Sequence, residues 1–177
     1  MESLRGRKPH PTFNHVAISV PADLLDEAGR RELLAFYGEV FGWDEMPTLT
    51  KDRELFVLRC WSNEQFVYLA AAEDPLRCPA LDHFGLSVET PRELDDMLER
   101  ARKFRERDDR VEIVERGLDD YGFLKLHNFY VRYRLPLMIE VQCFEWQAGR
   151  SAARGEGEAR AEAQPAVQGV TTAGQRT

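Results

Sequence analysis

The chain has 177 residues, 43% apolar and 31% charged, with a formal net charge of −7. That length accommodates one domain or two small halves around a real core. No run approaches the about 18 apolar residues of a membrane span, which argues against an integral membrane protein. The acidic balance argues against nucleic acid as the main partner. The polar, basic start (Met1 to His10) lacks the apolar stretch of a secretory signal. Three cysteines without a Cys-x-x-Cys spacing fit reduced thiols, so a cytoplasmic location is the expectation.

Residues 1–12 carry charge and two prolines without apolar periodicity. From Gln147 the composition turns to Gly, Ala, Arg, Glu and Gln, with Val167 and Val170 as the only large aliphatics. Such segments bury too little to offset the entropy of ordering them. Residues 1–12 and 147–177 are therefore expected to be disordered, leaving a single folded domain over 13–146.

Within that body, Asn14-His-Val-Ala-Ile-Ser-Val20 reappears 68 residues later as Asp82-His-Phe-Gly-Leu-Ser-Val88. Both alternate with the period of a strand. Val16, Ile18 and Val20 form one face, and His15, Ala17 and Ser19 the other. A helix follows each strand. The first carries Leu33, Leu34, Tyr37, Val40 and Phe41 at helical spacing, with Gly42 placed as its stop. The second opens with Thr90-Pro-Arg-Glu93, a capping box with proline at the first helical position, ahead of Leu94, Met97, Leu98, Ala101 and Phe104. Strand-like runs then fall at Trp43–Leu49, Glu54–Cys60 and Phe66–Ala72, and again at Val111–Arg116, Phe123–Arg132 and Leu137–Phe144. The chain reads as an α+β protein of two βαβββ modules, about 13–76 and 80–146.

The repeat turns two histidines into one position used twice. His15 and His83 stand opposite the apolar face of equivalent strands. On the last strand Glu140 shares a face with Gln142 and Phe144, opposite Ile139, Val141 and Cys143. A carboxylate in mid-strand between Ile139 and Val141 needs a partner, because desolvating its charge is costly. Two imidazoles and one carboxylate match the 2-His-1-carboxylate triad of a divalent metal with open positions. His127 falls on the opposite face from Asn128 and Tyr130 and is given no ligand role. Arg59, Arg132 and Arg134 lie in or beside strands, where they suit bidentate binding of an anionic substrate group. Trp43, Trp61, Phe66 and Phe144 suit either an aromatic pocket or core packing.

These segments, together with Leu34-Ala-Phe-Tyr-Gly-Glu-Val-Phe-Gly42 and Phe129-Tyr-Val-Arg132 leading to Ile139-Glu140, resemble the vicinal oxygen chelate superfamily. That group contains glyoxalase I, extradiol dioxygenases, and the fosfomycin- and bleomycin-resistance proteins. The resemblance covers residues 13–146 and implies paired βαβββ modules forming a curled, cup-shaped mixed sheet around a metal. It implies ligands at His15, His83 and Glu140, with Fe(II) favoured and Mn(II), Zn(II) or Ni(II) as alternatives. Glyoxalase-type members carry Glu or Gln in the end strand of the first module, where matching places Tyr68 or Leu69. The missing fourth ligand points to a dioxygenase-like enzyme whose substrate chelates the metal through adjacent oxygens.

In that reading Tyr130 hydrogen-bonds the substrate, Asn128 and the arginines bind it, and Tyr68 stands where a catalytic histidine is found in extradiol enzymes. A phenol is a weak general base at neutral pH, so Tyr68 suits proton donation. The turn Tyr133-Arg134-Leu135-Pro136 departs from the Asp-Pro-x-Gly type usual in these proteins. A lyase or isomerase, or a metal-free drug- or metabolite-binding protein, are the alternatives. A homodimer is expected, since a two-module sheet leaves edges for a partner to cover. Whether the modules pair within one chain or across two is left open.

Overall fold

The computed structural model describes residues 12–147. The expected disorder of 1–12 and 147–177 falls almost wholly outside them. The first module runs β1 (His15–Val20), a 3-10 turn (Ala22–Leu25), α1 (Glu27–Phe41), β2 (Asp44–Glu45), β3 (Leu55–Arg59) and β4 (Phe66–Ala71). The second runs β5 (His83–Val88), α2 (Pro91–Arg107), β6 (Val111–Asp120), β7 (Leu124–Tyr133) and β8 (Met138–Trp146). The βαβββ unit is present twice. The strand expected over Trp43–Leu49 contracts to two residues, because the chain beyond Glu45 enters turns.

Both helices start and stop where the local chemistry directs. Asp26 accepts the Gly29 amide at the head of α1, and Gly42 closes it in the left-handed region at φ 75°. At α2 both halves of the capping box are made between Thr90 and Glu93.

The strands form two four-stranded mixed sheets, ordered β1-β4-β3-β2 and β5-β8-β7-β6. In each, the first and last strands of the module pair in parallel. Ala17 faces Tyr68 in one sheet, and Gly85 faces Glu140 in the other. β1 and β5 are the outer strands of their sheets. β6 carries one extra residue: Val114 opposes Tyr130, but Gly117 opposes Asn128.

The modules meet through their helices. Phe36 of α1, absent from the stripe expected of that helix, is fully buried. It packs edge-on to Phe104 of α2 at 5.1 Å and stacks with Tyr133 of β7 at 4.7 Å. The Tyr37 hydroxyl donates to the Tyr133 carbonyl at 2.9 Å. Around this core, Glu32 of α1 takes Arg110 at 3.1 Å and also Arg134, which sits at φ 58° in the atypical turn before β8. With one face of each sheet committed to the helices, the faces bearing His15 and Glu140 are left for function.

Candidate metal and substrate site

The open face of the second sheet is arranged in rows across the strands. One row runs Gly85, Glu140, Tyr130, Val114; the next runs Ser87, Gln142, Asn128, Gly117. Glu140 is only 6% exposed, and its Oε2 lies 3.2 Å from His83 Nε2. His83 Nδ1 lies 2.7 Å from the Leu81 carbonyl, which can only accept, so Nδ1 carries the proton of the neutral ring. In the neutral ring Nε2 then presents a lone pair to a carboxylate oxygen. Two acceptors at that distance need a proton or a cation between them. Tyr130 packs edge-on to His83 at 5.1 Å. Burial, then a hydrogen bond to the Glu140 carboxylate, pushes its hydroxyl up to about 12. Tyr130 is therefore a proton-bearing donor at neutral pH.

On the first sheet His15 is held in the same way. Its Nδ1 lies 2.8 Å from Asn14 Oδ1, and its ring stacks on Phe66 at 5.0 Å. An Nδ1 fixed by an oxygen, with Nε2 left bare, is how metal-binding histidines are oriented. The donor set thus fits a divalent cation, but the structure distributes it. Among the described residues no three His, Cys, Asp or Glu side chains gather at metal-binding range. His83, Glu140 and Tyr130 come together, while His15 belongs to the other sheet. It looks onto a groove of about 760 Å³ between β1 and β5, lined also by Trp61, Phe66, Gly85 and Met97.

Register decides between Tyr68 and Leu69. Tyr68 faces Ala17 as Glu140 faces Gly85, whereas Leu69 is fully buried in the core. Tyr68 is the counterpart of Glu140 in the first module.

Arg59 and Arg132 are also counterparts, one on each module, and each lies across from a carboxylate. Arg59 faces Asp44, donating from Nε at 2.7 Å and from a second nitrogen. Arg132 faces Glu112, with bonds of 3.1 and 2.5 Å. Both guanidiniums are engaged bidentately before any ligand arrives. Arg134 is drawn away to Glu32. Asn128, 9% exposed, donates to Asp119 at 3.3 Å. A Cβ at Gly117 would come within 2.5 Å of its Oδ1, so the glycine makes room for this side chain. His127 lies on the helix side, between Arg116 at 3.0 Å and Glu145 at 2.9 Å. Of the four aromatics expected to line a pocket or the core, Trp43 is buried against Tyr37, Trp61 is largely exposed, and Phe66 and Phe144 lie on the open faces.

The strand expected over Val111–Arg116 runs on to Asp120, which brings Asp119, bonded to Asn128, onto the open face. Strand alternation from Val111 assigns it to the helix side, and the bulge before Gly117 reverses that. A glycine inside a strand pattern was the available signal.

No protein-family model matches the chain, and no curated protein is significantly similar in sequence. Solved structures are similar in fold. A lactoylglutathione lyase from Agrobacterium tumefaciens aligns at 19% identity and TM-score 0.54, covering 77% of this chain and 96% of that one. A glyoxalase/bleomycin resistance protein from Albidiferax ferrireducens T118 aligns at 16% identity and TM-score 0.51, over 74% and 98%. The fosfomycin resistance protein FosX from Listeria monocytogenes aligns at 13% and 0.51, over 76% and 94%. Two mixed sheets, each a βαβββ module, packed through their helices, define the vicinal oxygen chelate fold, and this chain has it. The likeness spans nearly the full length of the lyase, the resistance proteins and their kin, and it is a likeness of fold.

Proposed function

We propose that the protein is a metal-dependent enzyme acting on a small molecule that offers two adjacent oxygens. The observation that carries this reading is the approach of His83 Nε2 to within 3.2 Å of Oε2 of the buried Glu140, with Tyr130 edge-on to the imidazole. His83, Glu140 and His15 would hold the ion, Fe(II) ahead of Mn(II), Zn(II) or Ni(II). When bound, it supplies Lewis acidity to a chelating substrate. Tyr130 donates a hydrogen bond to a substrate oxygen, Asn128 fixes the substrate's flank, and Tyr68 holds a proton on the facing wall. Arg59 and Arg132, each occupied by a carboxylate, position the walls of the site.

His15 enters this site from a second copy of the chain. The aromatic packing of α1 on α2 holds the two modules in a fixed relation that leaves His15 apart from His83 and Glu140. A twofold dimer would set the first module of one copy against the second module of the other. Tyr68 in place of a fourth carboxylate favours oxygen-dependent chemistry over the four-ligand isomerase type.

The test combines elemental analysis of anaerobically purified protein with oxygen uptake on addition of catechol. One equivalent of iron per chain and oxygen consumption are expected. A metal-loaded protein that leaves oxygen untouched overturns the dioxygenase assignment in favour of a lyase or isomerase. A dimer that takes up no divalent metal overturns the enzyme reading in favour of a binding protein. Mixing His15→Ala and Glu140→Gln dimers after subunit exchange should restore about a quarter of wild-type activity, one intact site in each mixed dimer. No restoration would overturn the shared site.

A further inference from the structure

We propose that the groove between β1 and β5 binds a flat, uncharged aromatic molecule, on which Trp61 stacks. The inference goes beyond the reading above and holds with or without a metal.

The groove is apolar on both sides. The first module supplies Phe13, Trp61 and Phe66, and the second Phe84, Leu86 and Met97, around a volume of about 760 Å³. That is the size of a small-molecule site. Phe13 and Trp61 are 76% and 87% exposed, and neither stacks on another ring among the described residues. An indole left open beside an apolar groove gains by covering its face with a second flat ring. Charge narrows the choice of ligand. Among the described residues no lysine or arginine lines the groove, and its carboxylates are Glu89 and Glu93. The Glu93 carboxylate accepts the amides of Glu89 and Thr90, whereas Glu89 has no cationic partner among the described residues. An acid would enter without a counter-ion and against Glu89. Glu89 itself is exposed, where water screens its pull on a cation. An uncharged ring meets neither cost.

The strand edges supply the polar part of the site. β1 and β5 are outer strands. The carbonyls of Asn14 and Val20 accept the Phe66 and Ala72 amides from the β4 side, and the Asp82 carbonyl accepts the Met138 amide from the β8 side. Successive residues of a strand turn their backbone groups to opposite edges. His15, Gly85 and Ser87 therefore aim theirs away from β4 and β8, and all three line the groove. Ser19, in phase with His15, accepts the Leu76 amide on that outer edge. At Gly85 a Cβ would meet only Gln142 Oε1, at 3.7 Å, so a ligand atom can approach the backbone there. A hydroxyl or ring nitrogen in the plane of an aromatic ligand satisfies such an edge. An added strand would not, because the groove follows β1 only as far as Val16 and offers a ladder just the backbone groups of His15 on that side.

Calorimetric titration of the full chain at neutral pH with 2-naphthol and with naphthalene-2-carboxylate, in metal-free and metal-loaded samples, tests the site. Naphthol should bind both samples alike, with a Kd of about 50 µM. The carboxylate should bind at least about tenfold more weakly. Trp61→Ala should weaken naphthol about tenfold and leave the melting temperature unchanged, since that ring is exposed. Naphthol that fails to bind, binds no better than the acid, or binds Trp61→Ala as tightly as wild type would overturn the site. Naphthol binding confined to the metal-loaded sample would place the ligand at the metal, overturning the groove while leaving the chelation reading intact.

Discussion

Tyr68 and Glu140 hold one structural position in two modules: each stands on the last strand, opposite the small residue two places after the repeated histidine. A phenol and a carboxylate in that place have different duties toward a cation. Tyr68→Phe should retain full metal content, whereas Glu140→Gln should lower divalent metal affinity by about 100-fold, since a first ligand outweighs the tenfold and more of a supporting one. Elemental analysis after dialysis checks both. Metal loss in the phenylalanine variant would mean that the phenol itself is a ligand.

Tyr130 is held as a hydrogen-bond donor, with its hydroxyl near 12 through burial and the adjacent Glu140. Because deprotonation lies far above neutrality, activity should show no decline from this group between pH 6 and about pH 10. Tyr130→Phe should lower kcat/KM about 10- to 100-fold without moving the acidic limb of the profile. A new basic limb near neutrality in the wild type that vanishes in the variant would assign Tyr130 a role as base instead.

The link between the modules can be weakened at one atom. Tyr37 donates to the Tyr133 carbonyl, which also receives the Leu135 amide at 2.8 Å, so losing the hydroxyl leaves that carbonyl one partner. Tyr37→Phe should therefore cost only about 1 kcal/mol in urea unfolding. A single cooperative transition should remain. Separate transitions for the two halves would show that this bond governs their cooperativity.

Acid should loosen the same region. The Arg110 guanidinium, and then the Tyr133 hydroxyl, hold the Asp108 carboxyl well below the usual carboxylate range. A carboxyl lowered on folding stabilises the protein above its unfolded value near ~4, and this contribution fades as pH falls through the folded value. Unfolding free energy should thus decline below about pH 5, and Asp108→Asn should flatten part of that decline. Identical slopes in both proteins would remove Asp108 from the acid response.

Much of this was readable from residues alone, for identifiable reasons. The capping box of α2 and the Gly42 stop are local chemistry, and they formed where the sequence placed them. The repeated histidine located equivalent strands because alternation is a property of neighbouring residues. What escaped depended on longer relations. Tyr68 could not be separated from Leu69, because the spacing between first and last strands differs by four residues between modules. Phe36 does not stand out in the helix pattern because its partners, Phe104 and Tyr133, lie in the other module. Arg59 and Arg132 looked available, since the carboxylates opposite them are 15 and 20 residues away in sequence.

The extra residue in β6 has a wider effect than the bend it introduces. Side chains alternate between the two sides of a strand, so one inserted residue exchanges sides for everything beyond it. Were β6 to pair without the bulge, Glu115 against Phe129 and on in step, Leu118 would come opposite Leu126 on the ligand side and Asp119 opposite Lys125 on the helix side. That stretch of the open face would change from anionic to apolar without a single substitution. In β6 the placing of one bulge decides which residues the open face presents as firmly as the residues themselves do.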